Sequence, residues 1–265
     1  MQRERTTMNK RTNAKPGARG KLASSLAVLA LGGAIGPVEA APLAETSTAA
    51  PAATSLSKRQ AAIPPIAAFM ATGDMPRLRS ALNAGLDAGL TVSETREVLV
   101  HLYAYAGFPR SLNALNALMK VLEERRGRGI TDAPGREPSK PAPTGEALLA
   151  AGTANQTRIT GAPVKGPVFE FAPVINTFLQ THLFGDGFER DNLDWQSREL
   201  ATVGALAALD GLESQLGSHT KASMNVGLTA PQLAQVAEVL AGRGDSEAAR
   251  RTREALAAQS AAKAK

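Results

Sequence analysis

Cysteine is absent from this chain of 265 residues, and that absence excludes a whole class of chemistry. No thiolate is available as nucleophile or peroxide reductant, no disulfide can form, and no metal site can be built on cysteine sulfur. Such a chain must hold together by core packing and, where needed, by oligomerisation. Aromatic residues make up only 4% of it, with one tryptophan and two tyrosines, and no basic stripe is interleaved with them. The stacking platforms that bind single-stranded nucleic acid are therefore missing. Histidine is also scarce: His101, His182 and His219 are the three side chains that titrate near neutral pH when unperturbed. No alternating stretch is long enough for a sheet, so the predicted fold class is all-α.

The N-terminus reads as an export signal. Residues 1–21 carry seven Lys/Arg against one Glu, residues 22–36 are apolar, and Val38-Glu39-Ala40 resembles a small-residue cleavage site. The apolar run falls short of the ~20 residues a spanning helix needs. Cleavage near Ala40, a periplasmic or secreted destination and no stable membrane insertion are expected; a retained single-span anchor is the competing reading. Residues 1–40 hold seven bases and two acids, so the formal +6 of the whole chain falls to near +1 for the mature protein. The positive charge thus gives no ground for a nucleic-acid partner. Residues 41–58, small and proline-containing, read as a disordered tether.

One segment occurs twice. Residues 78–91 read LRSALNAGLDAGLT and residues 216–229 read LGSHTKASMNVGLT, an offset of 138. Each is followed by a capping box, Thr91-Val-Ser-Glu94 and Thr229-Ala-Pro-Gln232, in which two side chains satisfy free backbone N–H groups at a helix start. A duplicated helical protein follows, with repeats at 59–125 and 167–245. In the first, helices are predicted over 63–70, 76–88, 92–106 and 111–125, with Gly73-Asp74 as a breaker and Gly107 and Pro109 as a stop. In the second they fall at 174–183, 198–208, 212–225 and 231–241, with a turn at 185–187. Residues 125–146 are dense in proline, glycine and charge, and 126–166 reads as a linker. Residues 246–265 form a charged helix or tail.

The motif Arg198-Glu-Leu-Ala-Thr-Val-Gly-Ala-Leu-Ala-Ala, then Gln215-Leu-Gly-Ser-His219, then Ala222-Ser-Met-Asn-Val-Gly227-Leu-Thr resembles the carboxymuconolactone decarboxylase signature. So does the stretch from Gly89 through Glu97, His101 and Tyr105 to Pro109. The family includes alkylhydroperoxidase-D-like proteins. The resemblance implies an all-helical fold of two tandem units and assembly as homo-oligomers, trimers or hexamers. In thiol-bearing relatives the histidine matching His219 sits beside a Cys-x-x-Cys pair, which maps onto Leu212 and Gln215 here, so peroxidase chemistry has lost its nucleophile. Glu199 lies close to the relay carboxylate of those relatives, one position out of register.

The two copies are complementary. His219 aligns with Ala81, whereas Glu97 and His101 align with Gln235 and Val239. One set of polar groups is divided between the halves, which points to a composite site. His219 is the candidate acid or base, with helix capping or packing as the alternative. Glu199 is placed to orient it or to act as a base, unless it simply pairs with Arg198 or the helix dipole. Arg198 suits a substrate carboxylate, or a surface pair. Glu97 and His101 share a helix face, as a coupled carboxylate–imidazole or an interhelical polar pair. Tyr105 joins Arg198, Glu97 and His101 in the expected substrate-binding set. A third ligand beside Glu97 and His101 is not evident, so no metal is expected. The function implied is cofactor-free decarboxylation or proton transfer on a small carboxylated lactone or keto acid. An antioxidant protein and a non-catalytic oligomeric binding protein are the alternatives.

Overall fold

The computed structural model describes residues 54–263; the expected export signal and residues 41–53 of the expected tether lie outside them. The described residues form helices and no strand. Helix α1 (Lys58–Thr72) opens on a capping box between Ser57 and Gln60 and stops at Gly73. Asp74 then caps α2 (Met75–Asp87). The Thr91–Glu94 box starts α3 (Val92–His101), as its spacing requires. The helix expected over 92–106 is interrupted at Leu102, and a short α4 (Tyr103–Ala106) leads into α5 (Phe108–Gly127).

The second half repeats this order. Helices α9 (Trp195–Ala208), α10 (Glu213–Asn225), α11 (Ala230–Gly242) and α12 (Ser246–Lys263) follow one another. The offset of 138 carries Met75, Val92 and Phe108 onto Glu213, Ala230 and Ser246, the first residues of α10, α11 and α12. The duplicated unit is therefore four helices long, and the segment beyond Asp245 is the counterpart of α5. Ala248, Ala249 and Thr252 bury it against the rest of the molecule.

Both copies share one core. Helices α1 and α9 lie at its centre, buried over residues 63–71 and 197–207. Their crossing is close because Gly204 has no side chain: a Cβ there would stand 2.6 Å from the Pro64 carbonyl oxygen and 2.7 Å from its Cα. Such proximity of backbones maximises dispersion contact between the two helices.

Two further features depart from the sequence reading. The stretch 126–166 is not all linker, since it contains α6 (Gly145–Thr160). After α7 (Pro167–Phe171) and α8 (Pro173–Phe178), the expected turn at 185–187 lies inside a π-helix (Leu179–Gly187). Helix α6 packs on the π-helix through Gly152, whose missing side chain admits the Gln180 carbonyl. The loop before α6 is also fastened: Val92 and Ser93 N–H groups donate to the carbonyls of Ala133 and Pro134. It thereby satisfies donors that a helix start leaves free. None of the helices among the described residues is long and apolar enough to cross a membrane.

Candidate active site

Helix α9 supplies the centre of the site, because Arg198, Glu199 and Thr202 lie within one turn and are all fully buried. The adjacent Arg198 and Glu199 point to different partners. Glu199 Oε2 accepts a hydrogen bond from His219 Nδ1 on α10 at 2.9 Å. A carboxylate only accepts, so in the neutral imidazole Nδ1 carries the proton and Nε2 presents a lone pair. The His219 side chain keeps 17% of its surface exposed while Glu199 keeps none. Glu199 thus fixes the ring from inside, despite the one-position shift in spacing.

Arg198 turns to α3 instead. Its Nη2 donates to Glu97 Oε1 at 3.0 Å, and Arg190 donates to the same carboxylate through Nε and Nη2 at 2.8–3.1 Å. Asn192 Nδ2 adds a bond to Glu97 Oε2 at 3.2 Å. Burial alone would raise the Glu97 pKa, but Arg190 and Arg198 outweigh it and hold the carboxyl below its ordinary value. Burial lowers the Arg198 pKa, against the opposing pull of Glu97. Arg198 is an internal counter-ion with no exposed surface, not a surface cation. The expected Glu97–His101 couple is likewise absent, because two guanidiniums compete for the carboxylate.

His101 bonds across to α9: its Nε2 lies 2.9 Å from Thr202 Oγ1. The Thr202 hydroxyl donates to the Arg198 carbonyl, so it accepts from His101 Nε2–H. His101 Nδ1 is left as a buried acceptor without a partner. Burial pushes the His101 pKa well below the usual imidazole value, and the positive charge of Arg198 and His219 pushes the same way. His101 is therefore neutral in the folded protein.

Tyr105 bridges the two halves. Its ring centroid lies 5.4 Å from that of His101 and 5.4 Å from that of His219, edge-on to the latter. Its hydroxyl is buried and faces Thr202 without closing a full hydrogen bond. Burial, then the Glu199 charge, raises the phenol far above its ordinary pKa, so it remains a donor. All six residues singled out from the sequence thus converge: His219, Glu199, Arg198, Glu97, His101 and Tyr105 form one connected cluster across the two repeats. Sequence reasoning missed Arg190, Asn192 and Thr202. Arg190 lies just beyond the π-helix and has no counterpart in a recognisable motif. Thr202 had a weak signal, being one turn after Arg198.

Residues 40–120 and 173–258 match the carboxymuconolactone decarboxylase family, together more than half of the chain. The chain belongs to that family. No curated protein matches it. The second matched segment runs through α12 as far as residue 258, which agrees with a four-helix repeat. As a carboxymuconolactone decarboxylase family protein this chain carries no thiol: Leu212 and Gln215 stand at the positions the resemblance assigns to that pair. His219, one turn beyond Gln215 on α10, is bonded instead to Glu199 on α9. Among the described residues no group of three or more His, Cys, Asp or Glu side chains could hold a metal ion.

Proposed function

We propose that the protein is an exported, cofactor-free enzyme that moves a proton on a small carboxylated lactone or keto acid, with decarboxylation as the leading reaction. The observation that carries this reading is the 2.9 Å bond between His219 Nδ1 and the fully buried Glu199. It leaves Nε2 as the reactive nitrogen, oriented in the ring plane by a carboxylate that cannot turn to water. As His219 takes a proton at Nε2, its Nδ1–H stays on Glu199, so the ring keeps its orientation. In a decarboxylation the substrate's own carbonyl receives the electron pair left by carbon dioxide. The proton that His219 Nε2 took from the substrate's carboxylic acid then passes to the carbon of the enolate left behind. Tyr105, held protonated, packs its ring against both histidines. Glu97 and Arg198 act at a distance by fixing α3 against α9.

We further propose assembly as a homo-oligomer of the trimer or hexamer type. Supporting it, Phe171 is 90% exposed and Val168, Val174 and Phe178 lie bare beside it on α7 and α8. Large exposed apolar side chains this close in sequence are what an interaction face is built from. The thiol-dependent antioxidant alternative lacks its reacting group.

The test is turnover of a panel of lactones and keto acids by the mature protein, read as carbon dioxide release, beside His219→Ala. Release that His219→Ala reduces by about a hundredfold or more supports the reading. An inert wild type, folded and assembled like the variant, supports a binding role instead.

A further inference from the structure

Between α3–α4 and the π-helix lies a cavity of about 260 Å³. Val100, Leu183 and Gly187 give it an apolar wall, Tyr103, His182 and Asp186 stand around it, and Glu97, His101 and Arg190 of the cluster described above line it too. The proton transfer proposed above uses neither Tyr103, His182 nor Asp186. They are connected in series. The Tyr103 hydroxyl contacts His182 Nε2, and His182 Nδ1 lies 3.1 Å from Asp186 Oδ2. The Tyr103 and His182 ring centroids are 5.4 Å apart, and Phe108 stacks on Tyr103 at 4.5 Å and 16°, which restrains the phenol ring. A weak nucleophile, a base within reach and a third group that orients the base are the parts that activate a hydroxyl for covalent catalysis. Here the nucleophile comes from the first repeat, while the base and its acid lie on the π-helix. Helical segments of that type are often found at functional sites.

We propose that Tyr103, His182 and Asp186 form a second reactive centre, in which the Tyr103 hydroxyl attacks small apolar esters held in this cavity. Tyr103 Oη bonds to the acyl carbon, and the bond from that carbon to the leaving alkoxide breaks. The phenolic proton passes to His182 Nε2 and from there to the alkoxide, while His182 Nδ1–H stays on Asp186. Water then attacks the acyl-tyrosine, giving one proton to His182 Nε2, which returns it to Tyr103 Oη. Ester and water become acid and alcohol with no change of oxidation state. An apolar cavity of about 150 Å³ holds benzene, so this one takes a ligand of roughly ten non-hydrogen atoms. Val100 and Leu183 select for an apolar body. At Gly187 an added Cβ meets only the His182 carbonyl at 3.7 Å, so the space beside it is open to ligand.

The probe is 4-nitrophenyl acetate added to the purified full chain, read as a burst of nitrophenolate and as acetyl located by peptide mass mapping. The expected result is about one equivalent released with the acetyl on Tyr103. Tyr103→Phe, which keeps the stacked ring, removes both signals. His182→Gln slows the burst at least about tenfold, the lower range for loss of a general base. Gly187→Leu fills the cavity, leaves the three polar groups in place, and slows it as well. Asp186 is a positioning residue: Asp186→Asn slows acetylation and Asp186→Glu recovers it, an order that a purely structural contact would not give. His219→Ala leaves the burst unchanged, so failure of this proposal is distinguishable from failure of the His219 reading. A wild-type burst in Tyr103→Phe, acetyl spread over lysines with none on Tyr103, or no burst from folded wild type would each overturn it.

Discussion

Glu97 is held by two guanidiniums, one of them Arg198, which has no contact with solvent. Removing the carboxylate charge leaves a buried cation without its counter-charge, and breaking such a pair costs about 3–5 kcal/mol. Glu97→Gln should lower the unfolding free energy by that order, measured by urea denaturation. His101 has a different signature. Its folded pKa lies below the unfolded value of about 6.5, so below that pH the unfolded chain binds a proton that the folded one refuses. Stability therefore falls on acidification, at up to about 1.4 kcal/mol per pH unit from this group. His101→Gln should remove that component between pH 6.5 and the depressed folded value, while leaving the later acid loss as Glu97 protonates. Urea midpoints across pH check both. At this scale the residues themselves were legible, because histidine is scarce and each half lacks what the other has. Their pairing was not: Glu97 and His101 share a face on α3, yet Arg190 and Arg198 on other segments claim the carboxylate.

Helix boundaries followed the local signals closely where caps were present. Both Thr boxes open their helices as the spacing required, since a cap is chemistry within four residues. Helix α6 was hidden for the opposite reason. Its buried face is Gly152, Gln156 and Ile159, which has helical spacing but only one strongly apolar member. No periodic hydrophobic signal can arise from it; its partner is the π-helix backbone, which Gly152 admits. The π-helix itself has no local signature in the sequence. The crossing of α1 and α9 makes the sharpest prediction for an element. Gly204→Ala places a methyl against the Pro64 backbone, which cannot rotate away as a side chain would. A loss of about 1–3 kcal/mol in unfolding free energy is expected from overpacking. Gly217, beside which the nearest atom is 3.9 Å away, is the control at which alanine should cause no such loss.

For the whole molecule, duplication explains how the site is made. The same four-helix unit is used twice, and its two central helices bury each other, so α3 and α4 of one copy meet α9 and α10 of the other. The repeat was legible as an identical offset in two motifs, but its true length was not, because α12 shares little residue identity with α5. Exposed apolar side chains on α7 and α8 carry the assembly proposal. Light scattering should give a multiple of the chain mass, and Phe171→Asp with Phe178→Asp should reduce it toward the monomer without loss of helicity. In the proposed chemistry His219 and Glu199 act as one unit. On the best substrate from the acid panel, kcat/KM of His219→Ala, Glu199→Gln and the double variant forms a cycle. The expected result is a double variant no slower than His219→Ala alone, since the carboxylate works through the ring it orients. Losses that multiply would mean that the two residues act separately, and would contradict the dyad.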